Sequence, residues 1–470
     1  MMYTDMPDAD VRHTLTPLTV ALALVLGVAE SASAGAAVTS CLDEGGDDTL
    51  RHAVITANSA DTINLSKLVC SKITLTHGAL PVGIKDLTIQ GPGAAKLTID
   101  GNHADRVFFH AVAGTLTLKD ITVANGAVVA DKAYGGCIYG KGDLAMYGAA
   151  LTGCKALGQS LGAGGAAFVT GSATLHASKV ADNLADAAGS VQSGIGALGG
   201  GIVATGTAQD TTIVHSLISG NTAHAASGPA EGGGIVAGPV SAKYSTFSGN
   251  HAVAIGDVKN YSSAGAIAAL STLFMANCTV DHNVADIGGA VSTSGSNNGF
   301  ATIVQSTISG NTGNLAVGGI VGGTPVSIAN STIAFNDGGV FGGGGIVMTG
   351  AYELKLQSTI IADNTPTDID DTNKVSGASN LVKVVGASIA LPAGTIRLDP
   401  QFGPLAFNGG PMRTHALGAG SPAIDAGSND VKLPSDQRSG PYARVVGPKA
   451  DIGAVEFDPD RIYADGFSQP

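Results

Sequence analysis

Residues 304–311 read VQSTISGN, and close variants of this phrase recur along the middle of the chain. LHASKVADN ends at Asn183, VHSLISGN at Asn221, AKYSTFSGN at Asn250, MANCTVDHN at Asn283, VQSTISGN at Asn311, IANSTIAFN at Asn336 and LQSTIIADN at Asn364, in steps of 38, 29, 33, 28, 25 and 28 residues. A second phrase alternates with the first, a glycine doublet followed by apolar residues. It appears as GGCIYG at 135–140, GGAAF at 164–168, GGGIV at 199–203 and 232–236, AGAIA at 264–268, GGAV at 288–291, GGIV at 318–321 and GGGIV at 343–347. Self-similarity at a period of about 20–50 residues marks a solenoid.

Within each period Ile, Val and Thr dominate and inward candidates alternate, as in Val304, Ser306 and Ile308, which favours strands over helices. One turn of strands cannot cover its own apolar face. Stacking turns at ~4.8 Å pairs each backbone N–H and C=O with the next rung and encloses a common core. The expectation is an all-β fold, a right-handed parallel β-helix of eight or more rungs, roughly 40–50 Å long. The recurring Asn is read as a residue that tolerates left-handed backbone at a tight bend and hydrogen-bonds to its copies above and below. Glycine doublets allow positive φ and close approach between rungs. Segments between Ala223 and Ala230 and between Ile255 and Ala264 are read as bulging loops, the natural place for a binding site.

Open ends need covers. Asp48 precedes Leu50, Ala53, Val54 and Ala57, an apolar helical face with Asp48 as its N-cap, so a short capping helix is expected there. Strand-like pieces follow at 62–65, 72–76, 86–90, 96–100 and 115–123. The chain divides into a signal peptide (1–34), an N-terminal cap and first rungs (35–126), repeat rungs (127–365), a loop-rich C-terminal cap and module (366–457) and a tail (458–470).

Composition narrows the function. Of 470 residues 68 are glycine, twice the usual ~7%, and 13% are charged against an ordinary ~25%, while 44% hydrophobic content argues against disorder. A formal charge of −13 opposes nucleic-acid binding. Trp is absent, and Tyr and Phe are few, which counts against broad stacking platforms for sugars. The apolar run 15–29 followed by Ser31-Ala32-Ser33-Ala34 reads as a cleaved export signal, although Asp5, Asp8 and Asp10 outweigh Arg12 before it. No later run is long enough to span a membrane as a helix, so no transmembrane span is expected in the mature chain. Cys41, Cys70, Cys137, Cys154 and Cys278 contain no CxxC pair. Export permits a Cys41–Cys70 or a Cys137–Cys154 disulfide, and burial as small apolar residues is the competing reading.

Two stretches carry a resemblance. CLDEGGDDTLRHAVITAN, ITLTHGALPV, DLTIQGPG and LTIDGN lie between Cys41 and Asn102, and LDPQFGPLAFNGGPMRTHALGAGSPAIDAG, DQR at 436–438 and DIGAVE at 451–456 lie near the C-terminus. With them the chain resembles bacterial secreted β-helix proteins of the polymorphic outer-membrane-protein type with a "choice-of-anchor Q" C-terminal domain. The resemblance implies an exported surface or extracellular protein and no established reaction.

Chemical readings are weaker. Parallel β-helices include glycan-cleaving enzymes, but this chain lacks NTD, GHG and RIK elements of the polygalacturonase kind, and no Arg lies between Arg106 and Arg397. Lysines 155, 179, 243, 259 and 355 are the available substitutes. GQSLG at 158–162 and GIGALG at 194–199 match a nucleophile elbow and a dinucleotide fingerprint but lack the helices those motifs require. Asp368, Asp370 and Asp371 offer a weak Ca²⁺ site or a solvated loop. His415, Asp425, Asp436, Arg438, Asp451 and Glu456 offer acid, base and cation, and are read as turn-forming and paired charges rather than as a catalytic set. No catalytic, cofactor or metal residue is therefore assigned. The expected function is a non-catalytic adhesion or binding scaffold for a cell-surface, matrix or polysaccharide ligand. A polysaccharide lyase or hydrolase acting on acidic glycans and a structural envelope component are the alternatives.

Overall fold

A computed structural model describes residues 37–189, 196–255, 261–294 and 299–459, so the stretch expected to be an export signal and the end of the tail lie outside the described residues. The chain winds into a parallel β-helix. Three long sheets run along it. Sheet 1 has 12 strands, from Asp61–Asn64 to Lys374–Ala378. Sheet 2 has 12, from Lys72–Thr74 to Leu381–Val382, and sheet 3 has 11, from Leu80–Val82 to Ile369–Asp370.

Strict register explains why the repeat needs aliphatic residues at fixed places. Ile63, Ile89, Leu118, Met146, Leu175 and Ile213 stack on one another in sheet 1, and Val180, Ile218, Phe247, Val280 and Ile308 do so in sheet 2. Each is buried in one core running from Val38 to Val382, a burial that stabilises by about 1.5–3 kcal/mol per large aliphatic side chain. Val304 is not among them. The left-handed residue Gln305 (φ 44°) turns the chain between sheets 1 and 2, so Ile303 points inward before the corner and Ser306 and Ile308 after it.

The asparagine column exists, but its conformational reason differs from the expected one. The left-handed residue is the one before each asparagine: Asp182, Gly220, Gly249, His282, Gly310, Phe335 and Asp363 all have positive φ, and the asparagines do not. That corner turns each side chain inward. Asn183 Nδ2 donates to Asn221 Oδ1 (2.8 Å), and the pattern continues through Asn250, Asn283, Asn311, Asn336 and Asn364 at 2.8–2.9 Å. Every Oδ1 from Asn221 to Asn364 also accepts the backbone N–H of the preceding asparagine, while each Nδ2 from Asn183 to Asn364 reaches a backbone carbonyl. Buried amides are stable only when satisfied in this way. Cys154 N closes one end of the column at 2.9 Å. Asp368 Oδ1 closes the other, accepting from Asn364 N and Nδ2.

A second polar column was not anticipated. Five residues before each asparagine stand Ser178, Ser216, Ser245, Cys278, Ser306, Ser331 and Thr359. The backbone N–H groups of Ser178, Ser216, Cys278 and Ser306 each donate to the serine hydroxyl of the next rung. Cys278 takes a serine place, fully buried, and burial pushes its thiol up to about 12.

The expected loop at 223–230 is shorter than the sequence suggests: residues 226–229 are irregular, and strands flank them on both sides. After each asparagine the chain runs outward and back, and these excursions pair into a fourth sheet of nine strands that includes Thr222–Ala225 and Ala230–Glu231. A small cluster of Ala187, Ala197, Ala223, Ala225 and Ala230 packs within it. Residues 256–260 of the other expected loop lie outside the described residues. GQSLG sits in the strand Lys155–Ala163, and Ala197–Leu198 of the GIGALG stretch is strand as well, so neither motif opens a helix.

The capping helix spans Leu50–Thr56 and buries Leu50, Ala53 and Val54 against the first rungs; its N-cap is Thr49, whose hydroxyl accepts from His52 N, and not Asp48. The strand expected at 115–123 is broken in two by Asp120 (φ 49°), and strands at 80–82 and 108–110 join those expected from the sequence. Disulfides join Cys41 to Cys70 and Cys137 to Cys154, and Cys278 is a free thiol. At the far end Val385, Ile389 and Leu391 close over the core.

Candidate functional site

Beyond the last rung, residues 402–457 fold back as an arm along the outer face of sheet 2. The outward hydroxyls of that sheet hold it. Thr279 Oγ1 donates to Arg413 O (2.8 Å), Thr307 Oγ1 to Gln437 Oε1 (2.6 Å), Thr332 Oγ1 accepts from Ala454 N (3.1 Å), and Ser309 Oγ meets His415 Nε2 (2.8 Å). Farther along, Leu417, Ala423 and Ile452 pack on Ile360, Ala362 and Leu381. The strands Thr279–Asp281, Thr307–Ser309 and Thr332–Ala334 are consequently buried on both faces, whereas Lys179–Ala181, Leu217–Ser219 and Thr246–Ser248 keep an accessible outer side.

The charged residues expected from the sequence near the C-terminus converge inside this arm. Asp436 receives Arg438 Nε on both carboxylate oxygens (3.2 and 3.0 Å), and Glu456 N donates to its Oδ2. Arg444 pairs with Glu456 at 3.2 Å and donates to Asp451 O, while Asp451 Oδ1 accepts Asp425 N. His415 stands apart, against Phe335, Phe402 and Ser309. All of these except Asp425 are buried, and each carboxylate is engaged by backbone or guanidinium. This is a clamp that shapes the arm.

Burial pushes Glu456 from its ordinary 4.5 up to about 8, with Asp451 and Asp436 repelling its charge and Arg444 opposing them. A carboxyl whose folded value is raised gives its full contribution below the unfolded value and loses it as pH climbs toward the folded one. Stability is therefore expected to fall between about pH 4.5 and 8. Glu456→Gln, measured by thermal unfolding across that range, should flatten the decline and be the more stable protein at pH 8; an identical decline in both would contradict this assignment.

Among the described residues the acidic trio is not gathered around one point. Asp368 is fully buried and spent on the asparagine column and on Val384 N, and Asp370 lies in the strand Ile369–Asp370. Of the five lysines, Lys259 lies outside the described residues, and Lys179 has the most specific setting.

Lys179 stands on the floor of a groove of about 1030 Å³, the part of sheet 2 that the arm leaves uncovered. Its floor runs from Thr122 past Ala150, Lys179 and Leu217 to Thr246, and Phe407, Met412 and Arg413 of the arm bound one end. The corner between sheets 1 and 2 carries a column of rings beside it. Tyr147 and His176 lie 6.3 Å apart, His176 and His215 6.0 Å, and His215 and Tyr244 4.9 Å with planes only 11° apart. Tyr and Phe are few in the sequence, yet the fold gathers two tyrosines and two histidines on one edge. Their signal lies in the phrases LHAS, VHS and KYS, each with a ring one or two places before the serine.

A His–Asp pair occurs on sheet 4, where His224 Nδ1 lies 2.6 Å from Asp186 Oδ1. Among the described residues Nε2 of His224 meets no hydroxyl or thiol.

No family model and no curated protein sequence matches the chain. The crystal structure of pectate lyase Pel9A is similar over 87% of this chain and 91% of that one, at 13% identity and a TM-score of 0.40.

Proposed function

We propose that this protein is an exported, non-catalytic binding scaffold acting at a cell surface or in the extracellular space, with adhesion as its role. One observation carries the reading. The groove contains hydroxyls, imidazole and phenol rings and a lysine, but among the described residues lining it there is no Asp or Glu. Glycan hydrolysis ordinarily needs a pair of carboxyl groups, and Ca²⁺-assisted chemistry needs several oxygen ligands. Such a surface is equipped to hold a ligand and not to cut it. The two disulfides support an oxidising compartment. The resemblance to polymorphic outer-membrane proteins supports surface display, with the arm as part of a choice-of-anchor Q module.

The test is retention without turnover. Purified protein incubated with cells, matrix or polysaccharides should be retained on at least one of them and release no soluble oligosaccharide. The rival, a glycan-cleaving enzyme, is favoured by one feature, the His224–Asp186 pair. Product release that disappears in His224→Gln would establish it and overturn the scaffold reading.

A further inference from the structure

The arm demonstrates what the outer face of sheet 2 can do. From Thr279 onward its threonine and serine hydroxyls are satisfied by a chain lying across them. The same face continues through Thr152, Ser219 and Thr246, whose hydroxyls have no hydrogen-bond partner among the described residues. Over these rungs, ~14 Å at ~4.8 Å per step, the face is open.

From these observations we infer that this open stretch binds a linear acidic glycan strand; the inference rests on the scaffold reading above and names its ligand. Three features select that chemistry. The floor offers unpaired hydroxyls on three of its rungs, at Thr152, Ser219 and Thr246, with Lys179 on the rung between the first two, matching a ligand rich in hydroxyl groups. The ring column adds polar edges: because His215 and Tyr244 cover one another's faces, their imidazole nitrogens and phenol oxygen remain for hydrogen bonding. The charge is one-sided. In a chain with 37 acidic and 24 basic residues, the groove lining has no carboxylate. Lys179 projects from its centre, exposed and without an ion-pair partner among the described residues, and Arg413 stands at the closed end, held by Asp281 from behind. A negative ligand therefore meets Lys179 at the centre, while the neighbouring carboxylates stand at the margins, Asp120 beside Gly148 and Asp281 behind Arg413.

A polypeptide strand fits less well. The arm is anchored by Leu417, Ala423 and Ile452 on Ile360, Ala362 and Leu381, whereas the open floor presents Leu217 as its one large apolar side chain among the described residues, with Phe407 and Met412 only at its closed end. Buried apolar anchors dominate protein–protein affinity, and this floor lacks them.

The experiment uses the full chain with alginate oligosaccharides as acidic probes, cello-oligosaccharides as neutral ones and a peptide of residues 402–417 as a polypeptide probe, all by calorimetry. Alginate oligosaccharides should bind and the other two should not. Lys179→Glu, an exposed change that should leave the unfolding midpoint in place, should weaken alginate binding at least tenfold, and Lys355→Glu on sheet 1 should not. Equal binding of neutral and acidic strands, preferential binding of the peptide, or no effect of Lys179→Glu would overturn the assignment. Alginate that is bound and also cut would uphold the groove and overturn the non-catalytic reading. No binding of alginate by protein that still adheres to cells would overturn the groove and leave the scaffold reading standing.

Discussion

Gly233→Ala is expected to cost on the order of 3–5 kcal/mol of stability, read as a fall in the denaturant midpoint, even though it adds one methyl group. Gly233 is the second residue of its glycine doublet, and a Cβ there would lie 2.4 Å from Gly265 O of the next rung and 2.4 Å from His251 C. Both are backbone atoms fixed in the stacked ladder, so neither can turn away as a flexible side chain would. The same collision recurs at Gly165, Gly200 and Gly265, which is why the doublet survives from rung to rung. Gly249 provides the control. Its φ is +61° but nothing lies within 4 Å of its Cβ position, so Gly249→Ala should cost only about 1–2 kcal/mol of left-handed strain. Equal losses at the two sites would mean that backbone conformation, and not the approach of neighbouring turns, sets the requirement.

Asn250→Ala is expected to cost a similar amount, on the order of 3–5 kcal/mol. The substitution removes the acceptor for Asn221 N and Nδ2 and the donor to Ile218 O and Asn283 Oδ1, leaving several buried polar atoms unpaired. An exposed asparagine would lose a few tenths. Guanidinium unfolding of Asn250→Ala beside Asn373→Ala, an exposed asparagine outside the column, checks the difference.

What the sequence disclosed follows from what repeats. Glycine doublets and asparagines recur because each rung imposes the same backbone collision and the same buried amide, so the solenoid and its polar column could be read from VQSTISGN and its copies. The left-handed corner could not. Asp182, Gly220, His282 and Phe335 all adopt it, and no residue type marks the place. The inward phase expected at Val304 fails for the same reason, since the turn at Gln305 breaks the alternation. The serine column was present in every phrase yet looked like ordinary strand composition. The candidate site was harder still. Thr279, Thr307 and Thr332 resemble solvent-facing strand residues, and only the path of the arm buries them. Lys179, Tyr147 and Tyr244 are spread over about a hundred residues and become neighbours through rung stacking alone.

The claim on which the rest stands is that successive asparagines touch in one continuous column. A double-mutant cycle tests it most directly. Unfolding free energies of Asn221→Ala, Asn250→Ala and the double variant should show a coupling of roughly 1 kcal/mol or more, while Asn221→Ala combined with Asn336→Ala, four rungs from Asn221, should be additive. Additivity for the adjacent pair, or equal coupling for both pairs, would contradict the stacked column and the coil built around it.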